Sequence, residues 1–309
     1  MSKVIIGIDK SKSYRVYLTI TTDMVEKARK AHDTTPLASA MLGRVLTATG
    51  MMGLMLKKES EKVTVLFKGE GPAKQVIATA DGAGNVKGYV ANPYVNLPLK
   101  ENGKLDVGEA LGKGELTVIK DIGLKEPYSG KIALVSGEIA EDLTAYFYIS
   151  EQQNSSVALG VMIGNDTKIA ASGGFIIQML PDFENEAVDA LEEMLKTMPS
   201  ITTMIAEEML KSKGKTEIGV LEGLMERIFS PLPSDYKPES IGIRDMNWFC
   251  DCSKEKYKKG LTTLSEKDLT EMIEEDEGAE VVCQFCQKQY HFDVEDLKEI
   301  RSEVENNDN

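Results

Sequence analysis

All four cysteines of this 309-residue chain lie in its last fifth, as Cys250-Asp-Cys252 and Cys283-Gln-Phe-Cys286, with 30 residues between the pairs. Two short pairs divided by one supersecondary unit make the pattern of a tetrahedral thiolate site. Each turn offers two sulfurs, and the intervening segment folds back to bring them together. In a reducing compartment such pairs read as metal ligands or redox centres rather than structural disulfides. A unit this small has little core of its own, so metal binding supplies much of its folding energy, on the order of 10–16 kcal/mol for structural zinc. The expected cofactor is one Zn2+ on Cys250, Cys252, Cys283 and Cys286. Four thiolates close the coordination shell and leave no position for a catalytic water, so hydrolysis at the metal is not expected. His291 competes as a ligand on chemistry alone, but beside four sulfurs it reads as a hairpin residue. His32 has no second histidine near it and reads as a capping or surface residue.

Lys and Arg number 36 against 50 Asp and Glu, a net charge of −14, which argues against binding a phosphate backbone. Length suggests about two domains of roughly 150 residues. No apolar stretch with a small-residue cleavage site follows Met1, so a cytoplasmic protein is expected. The segment from Pro36 to Leu56 holds one charge, Arg44, and the glycines Gly43, Gly50 and Gly53. With Thr34-Thr35-Pro36 as a start signal, it reads as a central helix packed through small residues rather than a membrane span.

Residues 1–180 alternate short β-like runs with Gly-rich turns. Tyr14 to Ile20 and Val63 to Phe67 alternate with period two, and Asp81-Gly-Ala-Gly-Asn85 reads as the turn of a hairpin. Ser156 to Ile163, Lys168 to Ala171 and Phe175 to Leu180 read as further strands, joined by Gly164-Asn165-Asp166 and by Gly173-Gly174. Ile139, Leu143, Tyr146 and Phe147 follow helical spacing. The predicted class is α+β: a β-rich N-terminal core domain with buried helices, a helical linker, and a small C-terminal zinc or redox domain.

Over 181–240 three apolar stripes appear: Val188, Leu191, Leu195 and Met198; Ile201, Met204, Ile205 and Met209; Leu221, Leu224, Met225 and Ile228. Their other faces are rich in carboxylates. Two readings stand, a helical subdomain covering the sheet, and a marginally stable linker whose Met-rich faces repack on varied partners. Residues 241–300 form the cysteine unit, with a helix capped near Ser265 and a hairpin of Val281-Val282 with Tyr290-His-Phe292. Residues 301–309 read as a frayed tail.

A four-thiolate site can serve structure alone. It can also serve as a switch, because oxidants attack thiolates, neighbouring thiols then close disulfides, and the metal is lost. At this point the chain resembles the bacterial 33-kDa heat-shock protein family of redox-regulated holdase chaperones. The cysteine spacing carries the resemblance, together with Asp81 to Tyr89, Leu134 to Asp142, Ser150-Glu-Gln152, Val157 to Val161 and Gly173 to Pro181. The resemblance implies a non-enzymatic, ATP-independent chaperone that is inactive when reduced and zinc-bound. It further implies that oxidation joins Cys250 with Cys252 and Cys283 with Cys286, releases zinc and unfolds a metastable linker over 181–240. Unfolding client proteins are the implied partners, bound by a homodimer under oxidative stress, with neither nucleic acid nor membrane involved.

Two other classes stand beside it. A zinc-ribbon nucleic-acid-binding protein would use Lys254, Lys256, Lys258 and Lys259 beside Tyr257, although a solvated loop explains these lysines more simply. A thiol–disulfide oxidoreductase would place Cys283-x-x-Cys286 at a helix start in a βαβ setting, which the preceding Val281-Val282 does not suggest. No phosphate-binding Gly-x-x-x-x-Gly-Lys-Ser/Thr occurs.

Overall fold

The computed structural model describes residues 2–307. Strands β1 (Ser2–Asp9) and β2 (Tyr14–Ile20) form a hairpin, followed by α1 (Thr22–His32) and α2 (Pro36–Leu54). Strands β3 (Lys62–Gly69), β4 (Gln75–Asp81) and β5 (Asn85–Val90) form a meander. After α3 (Val107–Leu111), β6 (Gly114–Asp121) returns to the far side of β3, and β7 (Tyr128–Ala133) makes one sheet edge. Helix α4 (Ala140–Glu151) leads into β8 (Ser155–Ile163) and β9 (Ile169–Met179). Helices α5 (Asn185–Thr197), α6 (Ile201–Lys211) and α7 (Glu217–Phe229) precede β10 (Pro238–Trp248). The remaining elements are α8 (Lys254–Leu261), α9 (Glu266–Glu274), β11 (Ala279–Val282), β12 (Gln289–Phe292) and α10 (Val294–Asn307). The mixed α+β class read from the sequence is the one observed.

Ten strands make one sheet in the order β7-β6-β3-β4-β5-β10-β1-β2-β9-β8. Strand β10 runs antiparallel to β1 from Met246 opposite Ser2 to Pro238 opposite Asp9. It meets β5 in parallel only at Asn247 and Trp248, and so stitches two five-stranded halves together. The chain divides into two compact units between Phe249 and Cys250. Residues 241–248, expected with the cysteine unit, therefore belong to the large sheet. Ile243 pairs there with Ile5 of β1, while Ile241 falls in the bulge between the Gly242–Ile6 and Ser240–Gly7 pairs. Helix α10 continues through Asn307 where a frayed tail from 301 is expected, and residues 308–309 lie outside the described residues.

The half-sheet β1-β2-β9 is apolar on both faces. Val4, Tyr17 and Ile176 point into a core shared with α2, while Ile5, Val16, Leu18, Phe175 and Ile177 point into a second core closed by α5–α7. Phe229, at the end of α7, stacks on Tyr14 with ring centroids 6.1 Å apart. Helix α2 begins as expected: the Thr35 hydroxyl accepts the Ala38 N–H at 3.3 Å, and Pro36 takes the first turn. It is long and apolar enough to cross a membrane, yet its most apolar window is 94% buried within the fold. Its single charge, Arg44, pairs with Glu138 at 2.7 Å.

Three local expectations are corrected. Gly173-Gly174 is no turn but the middle of β9, opposite Ile20 and Thr19 on one side and Gly160 and Leu159 on the other. A Cβ on Gly173 would stand 2.4 Å from the Thr19 carbonyl oxygen, and one on Gly174 2.2 Å from that of Ala158, so close strand approach demands glycine. His32 is buried at the end of α1 with its ring edge-on to Trp248, 6.5 Å between centroids. Lys254 to Lys259 lie on α8 rather than a loop, because Ser253 caps it by accepting the Lys256 N–H. Gly174→Ala is expected to destabilise the large unit by about 1–3 kcal/mol or more in urea unfolding. Unchanged stability would remove the close-approach account of this glycine pair.

Candidate metal centre

The second unit has five residues at the heart of its core, Leu269, Tyr290, Phe292, Leu297 and Ile300. Ser265 caps α9 by accepting the Asp268 N–H at 3.2 Å, and β11 pairs with β12 from Ala279 opposite Phe292 to Val282 opposite Gln289. The helix cap and the hairpin both match the sequence reading. Cys250 and Cys252 enter immediately before α8, and Cys283 and Cys286 occupy the turn between β11 and β12. That turn is closed by the Cys286 and Gln287 N–H groups, which donate to the Cys283 carbonyl at 3.3 and 2.7 Å, with Gln287 at φ +60°.

The four sulfurs lie within 4.8 Å of one another, and no disulfide joins them. Cys250 Sγ is 3.7 Å from Cys283 Sγ, and Cys252 Sγ is 3.4 Å from Cys286 Sγ. Sulfurs placed at ~2.3 Å around one tetrahedral ion stand ~3.8 Å apart, whereas a disulfide holds them at ~2.05 Å. Donor chemistry and spacing both suit a soft or borderline metal ion. The cluster can hold such an ion.

Hydrogen bonds tune the thiols. Burial pushes the Cys283 thiol up, but donation from the Tyr257 hydroxyl and from the Phe285 and Cys286 N–H groups outweighs it and brings it down to about 7. Cys286 is pushed up to about 11, chiefly by burial. The Tyr290 hydroxyl donates to the Cys252 carbonyl at 2.9 Å and lies 3.2 Å from its sulfur. Tyr257 and Tyr290 pack against each other, 5.2 Å between centroids, and form the outer layer that orients the sulfurs. Sequence reasoning placed both tyrosines beside the cysteines without giving them this role. Their position in a helix first turn and in a short hairpin reaches the sulfurs only once both pairs have met.

The histidine expectation stands: His291 lies on β12, exposed, with Nδ1 3.3 Å from Glu280, outside the sulfur cluster. The lysines of α8 face acidic neighbours. Lys254 pairs with Asp296 at 2.6 Å, Lys256 with Asp251, and Lys258 with Glu299 and Glu303 at 2.9 and 3.1 Å.

Sheet, helical cover and thiol cluster together define an α+β protein with a four-sulfur centre in a small C-terminal unit. The chain matches the Hsp33 protein family over residues 2–293. It is 46% identical over 307 residues to the 33 kDa chaperonin of Alkaliphilus oremlandii, covering 99% of this chain and 98% of that one. The 33 kDa chaperonin of Clostridioides difficile is 46% identical over 291 residues, covering 94% and 95%. The crystal structure of the 33 kDa chaperonin of Thermotoga maritima superposes with a TM-score of 0.85 at 35% identity, over 98% of this chain and 99% of that one. The chain belongs to the Hsp33 family.

Tyr290→Phe keeps the ring and deletes the hydroxyl donor at Cys252. Competition against a chromophoric chelator should show metal affinity weakened about 10–100-fold, the usual cost of losing an outer-layer partner. Unaltered affinity would mean that this hydroxyl does not support the sulfurs.

Proposed function

We propose that this chain is a redox-regulated, ATP-independent holdase and not an enzyme, inactive while reduced and metal-bound. The single observation that carries the reading is the gathering of four cysteine sulfurs, joined by no disulfide, within 4.8 Å, in a Hsp33-family chain whose cysteine unit has so small a core. Zinc held by the thiolates of Cys250, Cys252, Cys283 and Cys286 would supply the cross-link that this core lacks, worth on the order of 10–16 kcal/mol. Cys250 with Cys252, and Cys283 with Cys286, are the proposed disulfide pairs. Each pair of thiolates gives up two electrons to one peroxide, which takes two protons from solvent and leaves as two waters. Sulfurs joined in this way no longer coordinate, and the cross-link is lost.

The client-binding step is assigned to the linker and what lies beneath it. Helices α5–α7 shield Ile5, Val16, Leu18, Phe175 and Ile177. Once these helices unfold, both their own Met-rich faces and this sheet face become apolar surface for unfolding proteins. The active form is proposed to be a homodimer acting in the cytoplasm, without nucleic acid or membrane. In support, Lys254, Lys256 and Lys258 of the basic run on α8 are paired with carboxylates of the same unit, which weakens the zinc-ribbon alternative.

The test is light scattering from a chemically unfolded client. Zinc-loaded reduced protein should leave aggregation unchanged, and the same sample after mild peroxide and heat should suppress it, reversibly with reductant and zinc. Cys283→Ser should bind zinc more weakly and suppress aggregation partly without oxidant. Equal suppression by the reduced and oxidised samples would overturn the redox gate, and none in either would overturn the holdase.

A further inference from the structure

Four carboxylates are buried among the described residues: Asp9, Glu61, Asp142 and Glu208. Three are well satisfied. Asp9 accepts from the Ser11 hydroxyl at 2.5 Å and the Tyr14 N–H at 2.8 Å, and Glu61 accepts the Lys57 and Lys58 N–H groups. Asp142 accepts four backbone N–H groups, from Val135, Ser136, Gly137 and Ile139, at 2.7 to 3.3 Å.

Glu208, on α6, is different. It is 1% exposed, and its Oε1 accepts the Ser212 hydroxyl at 2.7 Å, while Oε2 is buried with no hydrogen-bond partner among the described residues. The arginine of the facing helix does not reach it, for Arg227 pairs instead with the neighbouring Glu207. Helix α7 passes the carboxyl at Gly223, where a Cβ would stand 2.5 Å from Glu208 Oε1. Room for a buried carboxyl is thus made by a glycine inside a helix, itself an unfavourable choice. Charged or neutral, the group keeps one polar atom unpaired out of water, and a single hydroxyl does not offset that desolvation.

We propose that Glu208 is a built-in destabiliser of the α6–α7 pair and sets how readily the helical cover leaves the sheet. The proposal rests on the reading of α5–α7 as the releasable linker of a holdase. It gives that linker's marginal stability a location: a polar group at an apolar stripe position, since 208 follows 201, 204 and 205 on one face of α6. An apolar side chain of similar size removes the unpaired atom and keeps the packing, which for buried charges is commonly neutral or stabilising.

Hydrogen exchange on the full-length, reduced, zinc-loaded chain tests it. Glu208→Leu should slow exchange of the α6 and α7 amides at least tenfold, with α2 and α4 unchanged, whereas Ser212→Ala should quicken it in the same helices. Glu208→Met, unbranched and closer in shape, serves the same comparison if the leucine variant fails to fold. The peroxide exposure needed for half-maximal suppression of client aggregation should rise in the apolar variant. Exchange in α6 and α7 that is unchanged or faster would overturn the proposal. Slower exchange with the same peroxide requirement would overturn its regulatory part. If the oxidised parent chain fails to suppress aggregation, the holdase reading falls instead, and exchange in the reduced chain still decides the role of Glu208.

Discussion

The large unit depends on a sheet that must be covered twice. Along β1, β2 and β9, adjacent residues point to opposite faces and both faces are apolar, Val4 against Ile5 and Ile176 against Phe175. Helix α2 closes one side with Arg44 as its single charge, and it is buried along nearly its whole length. The other side is closed by three short amphipathic helices, with methionine at Met194, Met204 and Met225 and a misplaced carboxyl at Glu208. One face is therefore sealed by a well-capped central helix. The other is sealed by elements that owe most of their helicity to the surface they cover.

The cysteine unit solves a different problem. Three helices and a hairpin share a small apolar core there, and beside it sits the sulfur cluster with Tyr257 and Tyr290 behind it. Ion pairs between α8 and acidic side chains from Asp251 to Glu303 trim its surface at modest energetic value, since most are solvent-facing.

Much of this was legible in the chain itself. The Thr35-Pro36 start of α2, the Ser265 cap, the stripes of α5–α7 and the cysteine spacing are local patterns, and each became the element it suggested. What stayed hidden is non-local. Gly173-Gly174 has the composition of a turn, and only the approach of Thr19 and Ala158 from other strands makes it strand interior. Residues 238–248 stand next to the cysteines in sequence, yet find their ladder partner at the opposite end of the chain. The carboxylates of these helices were read as lying opposite the apolar stripes, yet Glu208, spaced from Ile201 and Ile205, lies on the buried stripe. At the site, the four sulfurs were readable from spacing, whereas the tyrosines were not, because their hydroxyls reach the cysteines only through the fold.

The placement of β10 after the helices has a topological consequence. The chain from 180 to 237 leaves the sheet at β9 and returns to it at β10, so both ends of the helical segment are anchored in one ladder system. If these helices melt, they form a closed loop and not a free arm. Such a loop keeps less entropy than a tail of equal length, and the deficit grows only logarithmically with contour. Its apolar segments also stay at high local concentration around the sheet they vacate. Re-covering would then be an intramolecular event, in direct competition with any bound guest and independent of protein concentration.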